Sequence, residues 1–457
     1  MKYILILLIF ISPASYCQIW QGHGTGLYSG PNIMYTDTID NTMYIGGVFS
    51  QINGIQAIGL ASWDGTNWSG LAGGIEDVYS TNYPNPTRAI LRYKDYIYIG
   101  GSFLAAGGFY SKHLIRWDGD QFDSIPFPNK TVYGLKVINN YLYACGLFDS
   151  IGGQMINNFA KWDGNVWTDV YNFPKLDLDY IIDVVLYKDE FYVCGNLSNS
   201  INDPIQNIIK YDGQEWTAVA NGIRGALALL YSMVIYKDEL YVAGEFRKRD
   251  GNAGNAIQKW NGIEWSEVGG GFDENAQVRK LYVHKDKLYA VGGFDFAGGV
   301  EAHNIAIWDG DEWCGLGSKF DNVISSLAFF NDTLIIGGGF WTIDGDSIQK
   351  IAKWIGGDYV DSCGVITNID KSTFENNILK LFPNPTNGHF NIEFIAKNNQ
   401  ASVEVYNNLG TKVFSISNFR IGENKVKIDI SEHPEGIYIF NVFDGEKIFS
   451  KKVIKNR

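Results

Sequence analysis

The sequence predicts an all-β protein: a seven-bladed β-propeller followed by a small C-terminal antiparallel β-sandwich. Three observations carry this expectation. First, an aromatic residue, Asp-Gly or Asn-Gly, and a second aromatic recur together, as in "SWDGTNW", "KYDGQEW" and "IWDGDEW". The leading aromatics are Trp63, Trp117, Trp162, Tyr211, Trp260, Trp308 and Trp354, at steps of 54, 45, 49, 49, 48 and 46 residues. A regular period of about 40–50 residues is the sequence mark of propeller blades. Second, 52 Gly, 27 Tyr, 27 Phe and 13 Trp in 457 residues suit short aromatic strands joined by tight turns. Third, the period stops after about residue 365. Alternation replaces it in "FNIEF", "SVEVY", "KVKIDI" and "IYIFNVF", as half-buried strands require.

Residues 1–17 read as a secretory signal peptide. Lys2 precedes an apolar run from Ile4 to Ile11, too short to cross a bilayer comfortably. Ser15 and Cys17 place small side chains before an expected cleavage ahead of Gln18. Lipidation at Cys17 is the alternative, and Tyr16 is a poor residue to precede it.

Residues 18–364 are expected to form the propeller, with four strands per repeat. The first strand runs into a Lys-Asp or Asn-Asp turn, as in "RYKDYIY" and "IYKDELY". The second carries Tyr and the glycines of "IYIGGSF" and "LYVAGEF". After a loop of about ten residues, the third strand ends at the leading aromatic and the fourth begins at the second aromatic. Asp-Gly between them predicts a two-residue hairpin turn with positive φ at both residues. Facing aromatics across such a hairpin stabilise it by roughly 0.2–1 kcal/mol per pair. Two segments could close the ring. "WQGHGTGL" at 20–27 resembles a fourth strand for the repeat ending at Trp354, and "YVDSCG" beyond Asp358 is its rival. The N-terminal solution is favoured because it removes an exposed edge and ties the first repeat to the last.

The repeat resembles kelch-like propeller units, with their double Gly and spaced aromatics. It is still more similar to bacterial "GG-x-F … N-I-A-x-W-D-G-x-x-W" repeats related to the delta sixty family. The resemblance covers residues 20 to about 360 and implies a fold but no single activity. Residues 365–378 read as a polar linker. Residues 379–457 resemble the C-terminal sorting domain of the type IX secretion system of Bacteroidetes. The matching pieces are Pro383, Asn384 and Pro385 with Gly388, "VYNNLG" ending at Gly410, Gly436 with Ile437 and Tyr438, and basic Lys451 and Lys452. That resemblance implies delivery to the outer-membrane surface or the medium, with the secretion machinery as partner. An accessory sandwich that binds something else is the alternative.

A formal net charge of −13 opposes binding to nucleic acid or to an anionic membrane surface. No later segment reads as a membrane helix. The six His show no metal-ligand spacing, and no catalytic signature appears, so neither a metal nor a cofactor is expected. A monomer is expected. Twelve of the 13 Trp fall on repeat positions, which favours packing over a sugar platform. Trp341 alone breaks rank, in "GFWTIDGDS"; Asp344 and Asp346 there read as a turn rather than a calcium loop. Cys145 and Cys194 share a register in adjacent repeats, about 10 Å apart. That exceeds the ~7 Å Cα limit for a disulfide, so both read as small buried residues. Cys314 and Cys363 are the better candidate pair.

Long connections share one face of the predicted ring, the longest being 75–88, and variable loops on a rigid scaffold are the usual place for binding. Aligning first strands on their turns gives one register of Tyr35, Ala89, Gly134, Asp183, Ser232, Lys280 and Ser326. One residue earlier stand Met34, Arg88, Tyr133, Ile182, Tyr231, Arg279 and Ser325. Arg88, Tyr133, Asp183, Tyr231, Arg279 and Lys280, with Trp341, are therefore the expected ligand contacts. They make a partly basic channel mouth suited to an anionic or glycan-like ligand. The leading functional expectation is a non-catalytic binder of extracellular glycan or protein. A secreted polysaccharide hydrolase or lyase is the first alternative, with Asp183 the nearest carboxylate. An adhesin or structural surface protein is the second.

Overall fold

The computed structural model describes residues 20–76, 87–174, 180–197, 207–225, 228–355, 379–382, 386–407, 411–445 and 448–455. The chain divides into two compact units, Met1–Cys363 and Gly364–Arg457. Both are built from antiparallel strands, and the only helical turn among the described residues is Lys248–Asp250. No helix of the described residues is long and apolar enough to cross a membrane.

In the first unit the described strands form seven four-stranded antiparallel sheets, one for each leading aromatic, plus small two- and three-stranded hairpin sheets. The sheet of the fifth repeat is typical: Leu229–Tyr236, Glu239–Glu245, Ile257–Trp260 and Trp265–Ser266, paired in chain order. First strands contact the first strands of neighbouring repeats in a closed cycle, from Pro31–Asp37 through to Ile324–Phe330 and back. The seventh sheet, Ile324–Phe330, Thr333–Gly338 and Ile351–Trp354, takes its fourth strand from the other end of the chain. Trp20–Gly22 pairs with it, Trp20 opposite Trp354.

The leading and second aromatics face each other in every sheet, from Trp117–Phe122 at 4.8 Å to Tyr211–Trp216 at 5.5 Å between ring centroids. The second aromatic also links sheets. The indole N–H of Trp68 donates to His23 O (2.8 Å), Trp167 to Pro126 O (2.8 Å), Trp216 to Tyr171 O (3.2 Å) and Trp313 to Val268 O (3.0 Å). Each acceptor lies about one repeat upstream, so the regular Trp spacing reflects packing and stitching between sheets.

The turn between these aromatics differs from the sequence expectation. Trp63 pairs with Trp68, so the loop is the four residues 64–67, and of Asp64 and Gly65 only Gly65 has positive φ. The Asp64 carboxylate shapes it by accepting the Thr66 and Asn67 N–H groups, both at 2.7 Å. Asp118, Asp163, Asp212, Asn261 and Asp309 repeat the arrangement. The two-residue turn with paired positive φ occurs instead between the first and second strands, at Lys188-Asp189 (φ 51° and 64°) and Lys237-Asp238 (48° and 60°). There the Lys ammonium reaches across to the next repeat's four-residue turn, as Lys188 does to Asn261 O (2.5 Å) and Lys237 to Asp309 O (2.6 Å). In the first case it spans to a turn 73 residues ahead in the chain.

The Asn of the N-I-A-x-W motif also has a backbone reason. The residue before each third strand is left-handed: Gly59, His113, Asn158, Asn207, Ala256, Asn304 and Lys350, φ 54–76°. Asn tolerates that conformation better than most residues. Its carbonyl accepts the N–H of the second-strand Gly, as in Gly146 to Asn158 (2.9 Å). Its own N–H donates to the carbonyl of the motif Phe, as in Asn158 to Phe148 (2.7 Å).

His23, just beyond the closing strand, lies buried between Trp63 and Trp68, at 4.7 and 5.4 Å. Burial, then nearby Lys353, pushes its pKa down to about 4 from the ordinary 6.5. The folded pKa is depressed, so the stability gained by keeping this ring neutral is complete above pH 6.5. It is lost as pH falls towards 4. The thermal midpoint is expected to fall across that window, and His23→Phe to flatten the fall, as read by melts at half-unit pH steps. His113, lowered chiefly by burial, keeps its own contribution. Below pH 3.8 a second loss is expected, because backbone N–H bonds hold Asp64, Asp118, Asp163 and Asp212 below their ordinary value.

The second unit has a three-stranded sheet, Leu379–Phe382, His389–Ala396 and Gly422–Asp429. Its four-stranded sheet runs Lys412–Ser417, Ser402–Asn407, Gly436–Phe443 and Ile448–Lys455. Phe390, Ile392 and Ile428 of the first join Val403, Val405, Phe440 and Val442 of the second in one buried cluster.

Candidate functional site

Every first strand in the first unit carries a register shift near its start. The residues left over are Asn32, Arg88, Tyr133, Ile182, Tyr231, Arg279 and Ser325. The glycines opposite are tied to this irregularity. A Cβ on Gly146, Gly195, Gly244, Gly292 or Gly338 would lie 1.9–2.2 Å from a carbonyl oxygen at the start of the first strand. Bulges of this kind turn the extra side chain away from the ladder.

Four of the bulge residues, with Tyr180, form an arc across successive repeats near the starts of the first strands. The Arg88 guanidinium carbon sits 4.9 Å from the Tyr133 ring centroid. Tyr133 stacks on Tyr180 at 4.8 Å and 26°. Tyr180 lies within electrostatic reach of the Tyr231 hydroxyl, and Arg279 sits 4.9 Å from the Tyr231 centroid. Arg279 Nη2 donates to Gln277 Oε1 (2.5 Å), and Gln277 Nε2 donates to Glu245 Oε2 (2.8 Å). Burial raises the Tyr231 hydroxyl pKa, and Arg279 opposes that shift. Both arginines are exposed and the three tyrosines are half-buried.

Asp183 and Lys280 do not join this arc. They occupy the position after the bulge and line, with Lys136 and Ser232, a cavity of about 570 Å³ among the first strands of repeats 3 to 6. Asp183 Oδ1 accepts the Val184 N–H and Oδ2 the Met233 N–H, both at 2.9 Å. Lys136 Nζ lies 3.8 Å from Asp183 Oδ1. Burial lowers the Lys280 pKa, with Asp183 acting in the opposite direction.

Trp341 belongs to neither group: the Lys350 ammonium lies 3.8 Å from its ring centroid, and its backbone N–H donates to Asp321 Oδ1 (2.8 Å). The first repeat is displaced from the expected register. Ile33, not Tyr35, stands opposite Gly46, and Asn32, not Met34, is its bulge residue. Tyr180 and Lys136 escaped the sequence reading, although Lys136 follows Gly134 by two and so shares its side of the strand. Among the described residues no three His, Cys, Asp or Glu side chains come together as metal ligands would.

Cys145 and Cys194 are buried free thiols. Cys314 is disulfide-bonded, while its expected partner Cys363 lies outside the described residues, as do Pro383, Asn384, Pro385 and Gly410. Gly388 has φ 109°, Gly436 opens a strand at φ 148°, and Lys452 pairs with Ile439 in the ladder. The Tyr438 hydroxyl donates to Pro434 O (2.6 Å).

Residues 380–456 match the secretion system C-terminal sorting domain family. No curated protein matches the chain. Among solved structures, one similar to this chain is PorZ, an essential bacterial surface component of the type IX secretion system of Porphyromonas gingivalis. The identity is 13% and the TM-score 0.48, over 94% of this chain. This chain spans 59% of the length of that one. A second is a GH74 enzyme of Niastella koreensis, at 13% identity and TM-score 0.44, over 96% of this chain and 74% of that one. The sorting domain together with the ring of four-stranded sheets makes this a type IX-exported, all-β protein with a propeller-like fold.

Proposed function

We propose that the chain is a seven-bladed β-propeller of kelch-like or delta-sixty-like kinship, followed by a β-sandwich sorting domain. Residues 1–17 act as its signal peptide, 18–364 as the propeller and 365–378 as a linker. Its role is to bind an extracellular glycan or protein without catalysis, as a monomer, at the cell surface or in the medium. Cys314 pairs with Cys363 in the exported protein, where oxidation is permitted.

The observation that carries the binding reading is the arc of Arg88, Tyr133, Tyr180, Tyr231 and Arg279, contributed by five successive repeats. Flat tyrosine rings offer apolar faces with polar edges, and a guanidinium at either end suits a carboxylate or sulfate on the ligand. Asp183 offers little as a catalytic acid or base. Two backbone N–H groups and Lys136 occupy its carboxylate, and no second carboxylate lines its cavity. The test is a glycan array probed with the full chain, followed by titration of any hit. Arg88→Ala with Arg279→Ala is expected to weaken binding of an acidic glycan at least tenfold at unchanged melting temperature. Undiminished binding would remove the arc from the site. Release of new reducing ends from a bound glycan would show an enzyme instead.

A further inference from the structure

The cavity that holds Asp183 and Lys280 has a composition gradient along the first strands. Its floor is polar: Lys136, Asp183, Ser232 and Lys280. Its wall is largely apolar and includes Val185, Met233, Val234 and Leu281, with Tyr282. Its rim, nearest the two-residue turns and Asn139, is Val137, Leu186, Ile235 and Val283. Three of these rim residues are aliphatic side chains left open near the ends of their strands: Val137 and Ile235 are 42% exposed, and Val283 is 38%. The cavity is therefore open at the turn end, as it also is beside Lys136, whose side chain is 40% exposed. From the rim at Val283 to the floor at Lys280 is three residues, about 10 Å of strand.

The floor is short of negative charge. Lys136 and Lys280 bring two positive charges and Asp183 one negative. The Asp183 oxygens already accept two backbone N–H groups and face Lys136. Among the described residues, no side chain or carbonyl lies within hydrogen-bond or ion-pair reach of the Lys280 ammonium. A partly buried, unpaired ammonium costs free energy that an incoming anion would offset. Ser232 is fully buried and its Oγ accepts the Leu281 N–H at 3.2 Å, so it ties neighbouring strands together beneath the two ammonium groups.

From this gradient we infer a second ligand site, at the turn end of the channel, for a small amphiphilic carboxylate. The carboxylate sits on Lys280 and Lys136, and the apolar body runs along Val185 and Val234 to the open Val137, Ile235 and Val283 rim. A volume of about 570 Å³ falls within the range of small-molecule pockets, and apolar walls with a few convergent polar groups are their usual make-up. The single surplus positive charge matches one carboxylate, and the aliphatic rim disfavours a sugar.

The probe is decanoate, titrated calorimetrically into the full chain, with decanol and decylammonium as matched neutral and cationic controls. Decanoate is expected to bind saturably, and each control at least tenfold more weakly. Lys280→Met keeps an unbranched side chain one atom shorter, removes its charge, and should melt at or above the wild-type temperature while losing at least tenfold in decanoate affinity. Val283→Glu, at the open rim, should lose as much by repulsion. Arg88→Ala should leave decanoate binding unchanged, which separates this site from the arc. No saturable decanoate binding, equal binding of decanol, or undiminished binding in both Lys280→Met and Val283→Glu would overturn the inference.

Discussion

Trp20→Ala is expected to lower the thermal midpoint by roughly 5–15 °C, the span given by a large-to-small core loss of about 3–5 kcal/mol. Trp20 is fully buried, pairs with Trp354, and meets the Trp354 and Phe320 rings at 5.1 and 5.5 Å. Its indole N–H donates to Ser318 Oγ at 3.1 Å, the counterpart of the Trp-to-carbonyl links between other sheets. With the proposed cleavage before Gln18, Trp20 is the third residue of the mature chain, and among the described residues Trp20–Gly22, with the His23 N–H on Ile351 O, cover the edge of Ile351–Trp354. Losing the anchor therefore exposes a strand edge as well as leaving a cavity. Trp167→Ala is the matched control, because Trp167 faces Trp162 in the same way inside a sheet whose strands are contiguous in sequence and makes no contact with the closing terminus. Both variants should melt early. Only Trp20→Ala should become sensitive to proteolysis near residue 355 and prone to edge association at room temperature. A Trp20→Ala protein with wild-type melting and protease resistance would mean that the terminus does not hold the seventh sheet.

The comparison of Trp20 with Trp167 also shows what the sequence made legible. Contacts that repeat from sheet to sheet leave a period, so the aromatic pairs could be read from spacing, and the N-terminal closing strand from its likeness to the other fourth strands. Features set by side-chain bonding to nearby backbone could not. Asp-Gly looked like a two-residue reversal, but the Asp64 carboxylate holds two N–H groups and so builds a four-residue loop. The register of the first repeat slipped by two because its first turn, 38–41, is two residues longer than the Lys-Asp turns used to align it. Arg88, Tyr133, Tyr231 and Arg279 were found together because they share one register position. Tyr180 was not, because it lies outside that position, and only the fourth repeat starts its strand with a ring able to stack on Tyr133. That Arg88 and Asp183 fall in different side-chain groups, the arc and the cavity, follows from the bulge. Its sequence trace is the second-strand Gly, and that Gly has a competing explanation in the crowding of adjacent sheets.

Removal of residues 379–457 is expected to abolish appearance of the protein at the cell surface and in the medium, and to leave it folded in the periplasm. The first unit has its own buried cores, and the matched sorting domain lies entirely within the deleted segment. Immunoblots of periplasm, surface and medium provide the readout, and unchanged export would sink the sorting role. A point variant asks the finer question of whether the machinery reads the folded domain or only its sequence. Gly388 has φ 109°, and a Cβ there would lie 2.6 Å from Ser431 Cα and 2.9 Å from Ser431 N, which are backbone atoms with little room to yield. Its neighbourhood is tied down by Ile430 N–H to Gly388 O at 2.8 Å and Lys455 Nζ to Ser431 O at 2.8 Å. Gly388→Ala combines left-handed strain with a backbone clash and should cost more than the roughly 1 kcal/mol typical of an ill-placed alanine. Only one methyl group is added, and every charged and aromatic residue of the domain is kept. Export that falls with the stability of the second unit, while the melting of the first stays constant, would show that the folded surface is the signal. Full export of a destabilised Gly388→Ala chain would instead assign recognition to a linear segment, which a machine can read without the sheets around it.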